Sequence, residues 1–135
     1  MSLAHLNSKI NIRIYYEDTD AGGVVYHSRY LNFAERARAE FLRNLSLEQI
    51  SISQEYKIQF VVKELKVNYI SFCKLDDQVQ LLTNLESINR VKLCFKHIFY
   101  KNNEEILHMN VKICIVSKTG KVARMPKSLY HKIIN

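Results

Sequence analysis

The stretch Tyr16-Glu17-Asp18-Thr19-Asp20-Ala21-Gly22-Gly23-Val24-Val25-Tyr26-His27-Ser28 separates two unlike patterns and decides how the chain is read. Before it, Asn11 to Tyr16 alternates around Ile12 and Ile14, the period of a half-buried strand, and the acids Glu17, Asp18 and Asp20 end that strand. After it, Tyr30, Phe33, Ala34, Ala37, Phe41, Leu42 and Leu45 recur at spacings of three and four. This predicts an amphipathic helix over Arg29–Leu45, with Ala34 and Ala37 permitting close packing and Ser28 as its N-cap. Two of the chain's three glycines are adjacent in the quoted stretch. Paired glycines allow positive φ or close approach of another group. The helix start beyond them offers unpaired N–H groups and a positive dipole end. A carboxylate beside such donors is an arrangement for chemistry rather than for packing.

A second short helix is predicted over Leu47–Tyr56, and strands follow. From Lys57 to Phe72, Ile58, Phe60 and Val62 share one phase while Leu65, Val67 and Tyr69 share the other, which predicts a bulge near Lys63-Glu64. After a turn at Lys74-Leu75-Asp76-Asp77, Val79, Leu81 and Leu85 alternate up to a break at Asn89-Arg90. Val91 to Phe99 forms a strand closed by a hairpin at Lys101-Asn102-Asn103-Glu104. Leu107 to Ile115 forms the last long strand, turned at Thr119-Gly120, and Met125-Pro126 with a short basic tail closes the chain. Short connections make the strands antiparallel. One long helix against such a sheet is an α+β layer arrangement, expected to form one domain over residues 1–135.

The length of 135 residues allows a core without staples, and 47% hydrophobic with 24% charged residues is an ordinary globular composition. No apolar run reaches membrane-helix length and the N-terminus lacks a signal-peptide core, so the cytoplasm is the expected location. Cys73, Cys94 and Cys114 form no C-x-x-C pair, and buried free thiols on strands are expected rather than a metal site or a disulfide. A net charge of +7 suits an anionic partner, but the basic residues are scattered, so no nucleic-acid partner is expected.

From Tyr15 through His27 the sequence closely resembles the YbgC-type acyl-CoA thioesterases, in the 4-hydroxybenzoyl-CoA thioesterase branch of the hotdog-fold superfamily. The likeness continues through Tyr30, Glu35-Arg36-Ala37-Arg38, Phe60-Val61-Val62, Leu75-Asp76-Asp77 and Met125-Pro126-Lys127-Ser128. It implies the hotdog fold, a long central helix wrapped by a curved antiparallel sheet of about five strands. It implies hydrolysis of acyl-CoA thioesters with no metal or organic cofactor. It also implies a homodimer or homotetramer with sites at the dimer interface, and acyl carrier protein or phospholipid-synthesis enzymes as partners.

By motif position, the resemblance makes Asp20 the catalytic carboxylate, acting as nucleophile on the thioester or as base on a water. The oxyanion donor is a backbone N–H around Tyr26-His27-Ser28, at His27 in the family pattern, with the His27 ring either contributing or packing. Gly22 and Gly23 shape the loop for substrate, and Asp18 is expected to brace it. Tyr26, Phe60, Val61 and Val62 are expected to line the acyl tunnel, with Tyr30 a core residue. Glu35 either faces a partner subunit's site or is solvated. Arg90 and Lys92 are the basic residues expected to meet the CoA phosphates, although Asn89 and Val91 depart from the more basic aryl-CoA pattern. The favoured substrate is an aliphatic acyl-CoA. The alternatives are an aryl-CoA thioesterase and a non-catalytic module binding acyl carrier protein or the Tol-Pal cell-envelope system.

Overall fold

The structure, a computed structural model, describes residues 2–135. In chain order it contains β1 (Asn7–Arg13), α1 (Arg29–Asn44), α2 (Gln49–Tyr56), β2 (Ile58–Tyr69), β3 (Gln78–Ile88), β4 (Lys92–Lys101), β5 (Glu104–Ser117) and α3 (Lys127–Ile134). The strands form one sheet in the order β1-β3-β4-β5-β2, with every neighbouring pair antiparallel. The hairpin between β4 and β5 turns at Asn102 and Asn103, both at positive φ (51° and 64°). Such a turn matches the right-handed twist of the flanking strands, and asparagine tolerates it well.

One face of the sheet carries the core. Val79, Leu81 and Leu85 of β3, Leu93, Phe95 and Phe99 of β4, and Leu107, Met109, Val111, Ile113 and Ile115 of β5 are buried at alternate positions. Against them α1 buries Tyr30, Phe33, Ala34, Ala37, Phe41 and Leu42, the stripe read from its period. Edge-to-face aromatic pairs join helix and sheet at Tyr30–Phe99 (5.5 Å) and Phe41–Phe95 (5.2 Å). The β2 bulge falls between Val62 and Glu64, where the phase change placed it.

Several boundaries differ from the sequence reading. The first strand occupies Asn7–Arg13 rather than Asn11–Tyr16. Its last residues are drawn off because Ile14 exchanges backbone bonds with Asp76 and Asp77, and Tyr16–Asp18 closes into a 3-10 turn. Ser28 does not cap α1 through its side chain; its backbone is already helical (φ −79°, ψ −14°), whereas a capping hydroxyl needs an extended residue. The first turn is entered instead through Arg29 N–H donating to the Tyr26 carbonyl. The basic tail is a helix, α3, held by buried Leu129 and Ile133 one turn apart. Of the cysteines, Cys73 is buried but lies in a loop, while Cys94 and Cys114 are half-buried on strands.

A polar network lies inside this core. His97 on β4 is fully buried, with Thr83 Oγ1 2.9 Å from its Nδ1 and Arg38 Nη1 3.1 Å from its Nε2. Since guanidinium only donates, Nε2 accepts and Nδ1 carries the proton toward Thr83. Burial, and then the Arg38 charge, push the His97 imidazole down to about 3. An unfolded chain binds that proton near 6.5. The stabilisation is therefore complete above pH 6.5 and is lost as pH falls toward 3. Thermal melts of the wild type are expected to drop steeply between pH 7 and 4, and His97→Gln, which cannot titrate, is expected to flatten that slope. Parallel slopes for the two proteins would refute it.

Candidate active site

Loop geometry follows from short, local contacts. Asp18 is buried, accepting from Tyr15 N–H through Oδ2 (2.9 Å) and from Arg29 Nε through Oδ1 (2.6 Å). This ties the loop to the first residue of α1. Tyr26 N–H donates to the Asp18 carbonyl (3.0 Å), and Val25 N–H to the Cys73 carbonyl (2.9 Å), fixing the far side. Between these anchors Asp20 and Gly23 close a tight turn: Asp20 N–H donates to Val24 O (2.8 Å) and Gly23 N–H to Asp20 O (3.0 Å).

Asp20 is exposed at the tip of that turn. Its Oδ1 accepts from Gly22 N–H at 2.8 Å and more weakly from Val24 N–H at 3.4 Å. These bonds orient the carboxylate, and among the described residues they leave Oδ2 without a partner. Gly23 has φ +82°, where a Cβ is strained. At Gly22 a Cβ would lie 3.2 Å from Asp20 Oδ1, crowding the oriented oxygen. Gly23→Ala is expected to cost about 1–2 kcal/mol for the left-handed backbone, readable by urea denaturation. An unchanged midpoint would mean that the turn re-forms without positive φ.

Beyond the turn, the His27 and Ser28 N–H groups find no acceptor among the described residues, and both lie at the positive end of α1. The neighbouring His27 carbonyl is held by the Tyr69 hydroxyl at 2.8 Å. The His27 ring is exposed and lies 4.4 Å from the Tyr26 ring, centroid to centroid. Tyr30 is buried and belongs to the core, its hydroxyl accepting from Cys73 N–H at 3.2 Å. Burial raises the Tyr30 phenol and pushes the Cys73 thiol up to about 11, so neither is a ready acid or nucleophile near neutrality.

The other predicted residues fall in two places. Phe60, half-buried, and Val62 line clefts between β2 and the helices, whereas Val61 points to the opposite face of its strand; Val61 and Val62 are equally exposed, at 42%. Arg90 and Lys92 lie at the β3–β4 connection, and Arg90 Nε donates to the Met125 carbonyl (2.8 Å). That connection is at the opposite end of the sheet from the Asp20 loop, because β3 begins at Gln78 beside Arg13 and runs away from it. Within one chain the two groups are therefore separated by the length of β3, about 33 Å. Arg29 and Tyr69 were not singled out from the sequence. Only the fold shows the Tyr69 contact, since its partner lies 42 positions away. Among the described residues no cluster of three or more His, Cys, Asp or Glu is placed to hold a metal, and no helix is long and apolar enough to cross a membrane.

An oriented acid at the mouth of a helix, in a sheet that wraps one long helix on one side, defines the class of hotdog thioesterases. The family model described as "Thioesterase-like superfamily" matches residues 15–133. The chain belongs to that superfamily, with the YbgC-type proteins as relatives. It is 40% identical over 119 residues to "Acyl-CoA thioesterase YbgC" of Haemophilus influenzae, covering 87% of this chain and 88% of that one. To "Acyl-CoA thioester hydrolase YbgC" of Escherichia coli O6:H1 it is 36% identical over 120 residues, covering 87% and 89%. The crystal structure of a probable thioesterase from Bartonella henselae superposes with a TM-score of 0.85 at 27% identity, covering 89% of this chain and 99% of that one. The hotdog architecture expected from the sequence is the one observed.

Proposed function

We propose that this chain hydrolyses aliphatic acyl-CoA thioesters, with Asp20 as the reacting carboxylate. The observation that carries the reading is that one loop holds both Asp20, steered through Oδ1 by Gly22 N–H, and, seven and eight residues on, the His27 and Ser28 N–H groups, with Asp20 Oδ2 and both N–H groups lacking a partner among the described residues. The thioester oxygen accepts from those N–H groups, which stabilise it as it becomes an oxyanion. Such a donor is typically worth about 2.7–4 kcal/mol in the transition state. Asp20 Oδ2 either attacks the carbonyl carbon, expelling the CoA thiolate and leaving a mixed anhydride for water, or takes a proton from the attacking water. The products are the same, a carboxylate and CoA. The exposed His27 ring stands at the same mouth as a second polar contact for substrate, and Tyr26 borders it.

The site is open in a single chain. β2 is an edge strand of twelve residues, and Val61, Val62, Leu65 and Tyr69 on it, with Ile70 and Phe72 just beyond, are each at least 41% exposed. A long apolar edge of this kind is a surface for pairing. Antiparallel apposition of two β2 strands extends the sheet through a two-fold axis. It also brings the Arg90–Lys92 end of one copy to the same end of the joined sheet as the Asp20 loop of the other, the arrangement by which these cations would serve the CoA phosphates. The dimer, or a tetramer built from it, is thus the working unit. An aryl-CoA thioesterase would use the same Asp20 and ranks second because the similar curated proteins are YbgC-type acyl-CoA thioesterases, whereas a purely binding role toward acyl carrier protein, phospholipid-synthesis enzymes or envelope proteins does not require the oriented Asp20. Thiol release from acyl-CoAs of graded chain length, with benzoyl-CoA in the same panel, tests the proposal. Release from the alkyl series is expected; release from none of them defeats it.

A further inference from the structure

The fold underuses Arg38. It is 8% exposed, on the inner face of α1, and among the described residues its one hydrogen bond goes to His97 Nε2. A guanidinium has five N–H donors. Arg38 forms no ion pair there, and Glu35, one turn earlier, acts on it only through space. Since among the described residues no buried polar side-chain atom is sealed without a partner, the remaining donors open onto space. That space is a pair of adjoining clefts between α1 and β2. One, of about 150 Å³, is lined by Leu31, Asn32, Glu35, Val62 and Leu65 as well as Arg38. The other, of about 20 Å³, continues past Arg38 to Leu42, Gln49 and Phe60.

Leu31, Asn32, Glu35 and Arg38 follow Ser28 along one side of α1 at spacings of three and four, so the clefts lead away from the proposed oxyanion donors. Ten residues of helix separate Ser28 from Arg38, a rise of about 15 Å that the backward lean of the Arg38 side chain shortens. A chain attached to a thioester at the helix mouth meets this guanidinium in its distal half. A plain alkyl chain would strip water from the donors and return no acceptor, an unfavourable exchange. His97 cannot absorb the mismatch, because its Nε2 is already used and its other nitrogen serves Thr83. The Glu35 carboxylate on the same cleft disfavours a second anion.

We propose that Arg38 is the polar stop of the acyl site, so that preferred substrates carry a neutral oxygen, hydroxyl or oxo, in the distal half of the acyl chain. The inference rests on the thioesterase reading above and names its substrate class. The test compares octanoyl-CoA with a set of hydroxyoctanoyl-CoAs whose hydroxyl is moved along the distal half of the chain. At one or more positions kcat/KM is expected to exceed that of octanoyl-CoA by about ten- to a hundredfold, the span of one charge-assisted hydrogen bond. Arg38→Met should bring that ratio near one, and Arg38→Lys, which keeps the charge with fewer donors, should retain part of it. Ratios at or below one in the wild type, or a ratio undiminished in Arg38→Met, overturn the inference. If no thioester is cleaved, the thioesterase reading fails separately, and the same ratio taken from calorimetric Kd values decides the Arg38 inference.

Discussion

Asp20→Asn is expected to lower kcat for acyl-CoA hydrolysis by about two to four orders of magnitude, the span usual for a lost acid–base group. The substitution isolates chemistry from folding. An asparagine Oδ1 still accepts from Gly22 N–H, so the turn that positions it persists. What disappears is the charge and basicity at Oδ2, the atom without a partner among the described residues. Stability should change little, because Asp20 is exposed and Asp18, not Asp20, ties the loop to Arg29. Thiol release with an acyl-CoA panel, beside a thermal melt, reads both quantities. An undiminished rate would remove Asp20 from the mechanism, and a collapsed melt would make it a structural residue.

The second large effect is expected at the β2 edge. Val61→Lys places a cation beside Lys63 and Lys66 on the same strand, and a two-fold interface doubles each charge against itself. Val61 is exposed in the single chain, so the folded protomer should tolerate the change. The dimer should not. Light scattering is expected to fall from the mass of a pair to that of one chain, 15.9 kDa. Activity should fall with it, by about a hundredfold, as expected when a site loses the groups that position its substrate. A variant that stays dimeric would place the interface elsewhere, and a fully active monomer would show that one chain suffices.

The helix and the loop were legible for a local reason. The stripe from Tyr30 to Leu42 and the alternation in β3, β4 and β5 are periodic, and each residue reports its own environment. The β2 bulge was legible in the same way, as a change of phase. The helical tail was missed although Leu129 and Ile133 carry its spacing, because its basic residues masked a short apolar stripe. Ser28 misled because the residue type of a cap was present without its backbone geometry. The acid loop stood out through residue types, Asp20 and paired glycines, whereas Arg29 and Tyr69 look like any surface arginine and strand tyrosine.

By itself, the sequence determined the α+β class, the order of elements from β1 through β5 and the loop where a carboxylate meets a helix start, since all three depend on neighbours in the chain. Tertiary structure decided what depends on distant pairing. The order β1-β3-β4-β5-β2 leaves β2 on an edge and sends Arg90 and Lys92 to the end of the sheet away from Asp20. It also brings Arg38 against His97, 59 positions away, with its other donors facing a cleft. Periodicity marks the face on which a side chain sits. It carries no information about which strand becomes an edge or whether a buried cation finds a partner.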